Sequence, residues 1–190
     1  MKSTKVIKVV CLTISMLVVF GCKKKDPVLI NEAELITTVK VVFTDTLTNQ
    51  NYTFQWEDLD GDGASQPIIT SDTLPKNTYF TTQIELWNKQ NNPEENITTE
   101  VEEEGIAHQF FYSVSPGTLL QYFNYEDSDE DGKPIGLIFS CKSNGTGGEG
   151  MFKLILRHLP DKFALGVSTG DITNANGETD VEIEYPFVIK

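Results

Sequence analysis

The chain has 190 residues with 15 Lys+Arg, 28 Asp+Glu, two His and three Cys, for a formal charge of −13. That length suits one domain better than two, and the charge argues against a nucleic-acid binder, which would need clustered Lys and Arg against phosphate. Hydrophobic residues make up 39% of the sequence and aromatics 10%, enough to bury a core and too many for a chain disordered throughout.

Lys2, Lys5 and Lys8 precede Val9–Phe20, an apolar run broken only by Thr13 and Ser15. A basic start followed by a short apolar run reads as a signal peptide, because a spanning helix needs about 20 apolar residues. The run ends in Val19-Phe20-Gly21-Cys22, which resembles the bacterial lipobox. The resemblance implies a signal peptide over residues 1–21, lipidation of Cys22 and a polar tether over 22–32, leaving 33–190 as a single domain. Loss of the three lysines with the signal takes the formal charge from −13 to −16. Cys11 leaves with the signal and Cys22 is acylated, so Cys141 is the only free thiol and no disulfide forms within the exported chain. It is in phase with Leu137 and Phe139, as a buried structural thiol would be.

From Leu35 onward the hydrophobic period is two. Leu35, Thr37, Val39, Val41 and Phe43 share one strand face, and Tyr52, Phe54 and Trp56 share a second beyond a turn at 48–51. Phe80, Thr82, Ile84 and Leu86 mark a third strand. Further strands are expected over His108–Val114, Leu119–Tyr125, Ile135–Cys141, Met151–His158 and Thr179–Ile189. Pro186 cannot donate to a ladder, which makes the last an edge strand or puts a bulge there. Between the third and fourth strands, residues 93–105 predict a short acidic helix with Asn92 as cap, Pro93 in its first turn and Gly105 at its end. Ile97 and Val101, four apart, would dock it, while Glu102, Glu103 and Glu104 oppose its dipole. About eight short strands with Gly-, Asn- and Asp-rich turns predict an all-β, antiparallel, Greek-key sandwich of the immunoglobulin-like kind with one inserted helix. A closed barrel is the other arrangement that this pattern admits.

Two loops share the pattern D-x-D-x-D-G: Asp58, Asp60 and Asp62 before Gly63, and Asp127, Asp129 and Asp131 before Gly132. Alternate carboxylates beside a turn-forming glycine are a way to hold calcium. Neither loop is an EF-hand, because the position that needs a bidentate Glu holds Ile69 in one and Ile138 in the other. Calcium in these loops would bind in the weak extracellular range, with Kd of about 10⁻⁴–10⁻³ M. Plain turn formation by Asp and Gly is the competing reading.

The two histidines occupy matching places. His108 opens one strand and His158 closes another. If those strands are antiparallel neighbours, the imidazoles meet at one rim near Glu102, Glu103 and Glu104. Two imidazoles with a carboxylate suit zinc or another divalent transition metal. The competing reading is a pair of strand-end histidines bonded to backbone carbonyls. No nucleophile elbow, zinc-protease helix or phosphate loop is visible, and the glycine-rich stretch 145–150 reads as a flexible hairpin loop. The chain is expected not to be an enzyme.

Several stretches carry a wider resemblance: residues 31–39 after the tether, Trp56–Gly63, the acidic helix running into His108–Tyr112, Leu156–Lys162 and Gly177–Val181. Together they resemble short bacterial lipoproteins labelled "type 1 periplasmic binding fold", whose genes often accompany TonB-dependent receptors. The two α/β lobes of that label do not suit a short, strand-rich chain. The resemblance implies instead an outer-membrane lipoprotein, periplasmic or surface-facing, accessory to TonB-dependent uptake, with the membrane and a TonB-dependent receptor as partners. The leading expectation is a non-catalytic binding protein that captures a metal ion or small metal complex. The alternative is a structural or adhesive surface module for protein or glycan partners, using calcium only structurally.

Overall fold

The computed structural model describes residues 35–61, 63 and 65–190. The signal segment, Cys22, the tether and Asp62 lie outside the described residues. Alternation at period two becomes ten strands: β1 (Thr38–Asp45), β2 (Asn51–Glu57), β3 (Ile68–Ser71), β4 (Tyr79–Asn88), β5 (Glu95–Asn96), β6 (His108–Ser115), β7 (Leu120–Tyr125), β8 (Ile138–Ser143), β9 (Gly148–His158) and β10 (Glu178–Ile189). One helix, α1 (Ile97–Glu103), follows β5.

The larger sheet has the order β3-β2-β1-β4-β8-β7, with β5 added beside β4, and the smaller has the order β10-β9-β6. Every pairing between named strands is antiparallel. The fold is therefore an all-β sandwich, as the alternation predicts, and its sheets are unequal. Inward side chains of the two sheets form one core. Phe43 and Phe54 of the larger sheet meet Phe152 and Phe187 of the smaller at ring separations of 5.9 and 5.6 Å. Each buried phenylalanine removes enough apolar surface to stabilise the fold by about 1.5–3 kcal/mol. Cys141 belongs to this core, and burial pushes its thiol up to about 12, the behaviour of an inert structural cysteine.

Local differences from the sequence reading have physical causes. The helix starts at Ile97, not Pro93, because Glu95 and Asn96 first pair with Asn88 and Trp87 of β4. Asn96, not Asn92, is the cap: its Oδ1 accepts from Thr98 N at 3.0 Å. Ile97 and Val101 are buried as expected. The short strand β3 escaped the pattern because it is an edge strand wet on both faces, with Ile68 65% and Ile69 40% exposed. The stretch 145–150 is not a hairpin, since β8 and β9 belong to different sheets. Pro186 lies on an edge strand as expected, but the register shift in β10 falls at the other end, between Thr179 and Val181.

The two flanks of the sandwich close differently. On one side Leu74 bonds into β10, donating to Val188 O and accepting from Lys190 N, both at 2.9 Å. On the other side Phe110 N donates to Ile135 O at 2.7 Å, the Tyr125 hydroxyl donates to Phe110 O, and the Tyr112 hydroxyl donates to Gly136 O. Gly136 is needed there, with φ of 88° and a site where a Cβ would lie 2.5 Å from the Tyr112 oxygen.

Candidate metal centre

His108 begins β6 immediately after a tight turn over Gly105–Ala107, and its Nδ1 bonds to the carbonyl of Glu104 at 3.2 Å. A carbonyl can only accept, so Nδ1 carries the proton and Nε2 keeps its lone pair. His158 ends β9 and stands directly opposite His108 in the ladder. The two rings meet edge to face, with centroids 4.8 Å apart and planes at 87°. The antiparallel pairing and the shared rim expected from the sequence are both present.

The carboxylate that joins them is Asp180, which was not among the residues singled out from the sequence as ligands. β10 pairs Thr179 with Arg157 and Val181 with Leu156, so Asp180 is the extra residue of a β-bulge. Strict alternation with Val181 and Ile183 would turn Asp180 away from the core. The bulge brings its Oδ2 to 3.8 Å from both His108 Nε2 and His158 Nδ1. Arg157 fixes the approach to the bulge: its guanidinium donates to Asn176 O from Nε and Nη2, to Gly177 O from Nη2 and to Thr179 Oγ1 from Nη1. Gly177 makes the close passage feasible, because a Cβ there would sit 2.2 Å from His158 O.

All three side chains are enclosed: 0% of His108, 9% of His158 and 8% of Asp180 is exposed. Separations of 3.8 Å are too long for hydrogen bonds, and His108 Nε2, His158 Nε2 and Asp180 Oδ2 are buried with no hydrogen-bond partner. Burying such groups unmatched costs about 1–3 kcal/mol each. One donor atom from each residue lies within 4.8 Å of the others, and this is the one such group of His, Cys, Asp and Glu among the described residues. Ligands at about 2.0–2.1 Å around a tetrahedral ion stand roughly 3.3 Å apart, so rotations closing the widest gap by about 1.5 Å would seat zinc.

Burial pushes His108 down to about 4, His158 and Lys162 act in the same direction, and the bond to the Glu104 carbonyl opposes them. Its imidazole is therefore neutral near pH 7, the state that binds metal. Burial raises Asp180, with His158 opposing.

Glu102 and Glu103 are exposed on α1, and Glu104 contributes its backbone carbonyl instead of its carboxylate. The carboxylate that the structure brings to the two histidines is therefore that of Asp180, in place of the acidic run expected from the sequence. The second Asp loop is likewise satisfied from within. Both oxygens of Asp127 accept backbone N–H groups, from Gly136 at 2.7 Å and Ile138 at 3.0 Å. Asp129 Oδ1 accepts from Asp131 N and Lys133 N, while its Oδ2 accepts from the Lys162 ammonium at 2.8 Å. Lys162 also donates to Gly105 O at 2.5 Å and Pro134 O at 2.9 Å, so the protein places its own cation against this loop. Asp127, Asp129 and Asp131 therefore do not converge on a calcium position. In the first loop Asp60 Oδ2 accepts from Ser65 N, Asp58 Oδ1 is buried without a partner, and Asp62 lies outside the described residues.

No protein-family model matches the chain, and no curated protein or solved structure matches it.

Proposed function

We propose that this chain is a lipid-anchored, non-catalytic protein of the outer membrane that binds a divalent transition metal, zinc being the best chemical fit, as an accessory to TonB-dependent uptake. One observation carries the metal reading: His108, His158 and Asp180 converge with unpartnered, buried donor atoms. Two nitrogens and one oxygen make a donor set suited to zinc and leave a fourth position for water. The bond from His108 to the Glu104 carbonyl supports the same reading, since metal-bound imidazoles regularly donate their other N–H to such an acceptor.

Enclosure favours a bare ion over a metal complex and retention over rapid exchange. It also supports a non-catalytic role, because a substrate has no direct approach to a centre so little exposed. The acidic surface would concentrate cations around the molecule. Envelope location and the link to a receptor rest on the lipobox and on the resemblance described above.

Calorimetric titration with zinc of the metal-free exported chain, residues 22–190 carrying Cys22→Ser so that neither signal segment nor lipid is present, tests the proposal. One equivalent should bind, and His108→Ala/His158→Ala should abolish it. Absence of binding by the otherwise unmutated protein would overturn the proposal, as would undiminished binding by the double variant.

A further inference from the structure

The flank between β6 and β7 is bonded shut as far as Tyr112 and opens beyond it. β6 is the edge of the smaller sheet and β7 the edge of the larger. The chain crosses between them through residues 116–119, and this corner holds a cleft of about 390 Å3, within the range of small-molecule sites, about 300–1,000 Å3. Tyr112, Val114, Tyr122 and Phe123 supply its apolar and aromatic wall, with Ser113 and Gln121 adding a hydroxyl and an amide. None of its lining residues is charged, in a chain of net charge −13.

Tyr122 is the unusual member. Its φ is 58°, a left-handed conformation that a bulky side chain adopts only at a cost. The ladder between β7 and β8 shifts register between Gln121 and Asn124, and Asn124 Nδ2 donates to Tyr122 O at 3.1 Å, fixing the bulge. As a result Gln121 and Tyr122 are both exposed instead of alternating, and Tyr122, 69% exposed, lines the cleft. The bulge keeps Leu120, Phe123 and Tyr125 on the inward side, where strict alternation from Leu120 would turn Phe123 and Tyr125 outward, and it leaves the Tyr122 ring outside the core. Bulges often re-aim a side chain beside a binding site. Behind it, Phe123 and Tyr112 stack at 6.2 Å with planes at 23°, and Tyr112 stacks in turn on Phe139 at 4.2 Å, which gives the cleft a rigid aromatic floor.

We infer that this cleft is a second binding site, for a neutral carbohydrate, with Tyr122 as a stacking platform and Gln121 as a hydrogen-bonding fork to sugar hydroxyls. A sugar ring has the matching chemistry: an apolar face of C–H groups, a polar rim and no charge. A charged ligand would find no counter-charge, and a purely apolar one would leave the amide and hydroxyls unmatched. The cleft shares no residue with the metal centre, so each site can fail alone.

The Cys22→Ser chain is titrated with neutral hexasaccharides of glucose, mannose, xylose and galactose, with heparin as the charged control, by calorimetry and saturation-transfer NMR. At least one neutral hexasaccharide should bind. Tyr122→Gly should weaken it about tenfold or more without lowering the unfolding midpoint, because glycine relieves the left-handed strain. Tyr122→Phe, which keeps the ring, should bind within about threefold of the parent. Binding of heparin alone, of no sugar, or of a neutral sugar equally well by the Tyr122→Gly chain would overturn the inference.

Discussion

Lys162→Met is the sharpest test of how the second Asp loop is built. The Lys162 and Asp129 side chains are 3% and 2% exposed, with the ammonium 2.8 Å from Asp129 Oδ2 and bonded also to two backbone carbonyls. Methionine fills similar space but leaves a buried carboxylate and two carbonyls without their donor. Breaking a buried pair in this way costs about 3–5 kcal/mol. For a folded unit of this size each kcal/mol moves the midpoint by about 2–4 °C, which gives a fall of roughly 6–20 °C. The assay is urea unfolding with a thermal scan, completed as a double-mutant cycle with Asp129→Asn. Since the penalty is an uncompensated charge, Asp129→Asn should stabilise the Lys162→Met background by about 1–2 kcal/mol while destabilising the parent. A Lys162→Met loss below about 1 kcal/mol, or no relief from Asp129→Asn, would refute an internal cation as the loop's organiser.

Other consequences concern the metal centre. Asp180→Asn should abolish the zinc-induced rise in unfolding midpoint, which for the parent at a hundredfold excess over Kd corresponds to about 2.7 kcal/mol; calorimetric scans with and without zinc read this directly. Gly177→Ala should destabilise the metal-free chain by about 1–3 kcal/mol and weaken zinc binding, because its Cβ must displace the His158 carbonyl from a 2.2 Å approach at φ of 70°; a neutral effect on both would contradict the close passage. The folded pKa of His108, about 4, lies below its ordinary 6.5. The unfolded chain therefore binds the extra proton between those values, and stability of the metal-free protein should fall as pH drops from 6.5 toward 4, by up to about 3 kcal/mol. The raised pKa of Asp180 works the other way, since the folded state then takes up its proton first. Denaturant midpoints measured against pH should show a shallower decline for His108→Gln, and identical curves would reject the assignment.

The β-sandwich was readable because its signal is repetitive: each inward residue of β1, β4, β9 and β10 votes for the same face, and the burial patterns follow. The pairing of His108 with His158 was readable for the same reason, since both are in phase with core residues at the ends of strands. Asp180 was hidden because a bulge is a local exception to alternation, set by Arg157 and Gly177 from outside the strand's own pattern. The second Asp loop, Asp127–Gly132, shows a related limit. Spacing reveals that carboxylates can converge, but not that backbone N–H groups and a lysine 33 residues away will occupy their lone pairs first. Tyr122 carried no signal either, because a left-handed tyrosine is an exception to propensity.

The central claim is that an ion sits among two imidazoles and the bulge carboxylate. Zinc-edge absorption spectroscopy on the zinc-loaded chain, backed by anomalous diffraction, tests it most directly. The account predicts one zinc bound by nitrogen from His108 and His158 and oxygen from Asp180 at about 2.0–2.2 Å. Zinc held by Glu102 and Glu103, by the Asp58–Gly63 loop, or by oxygen ligands alone would contradict it.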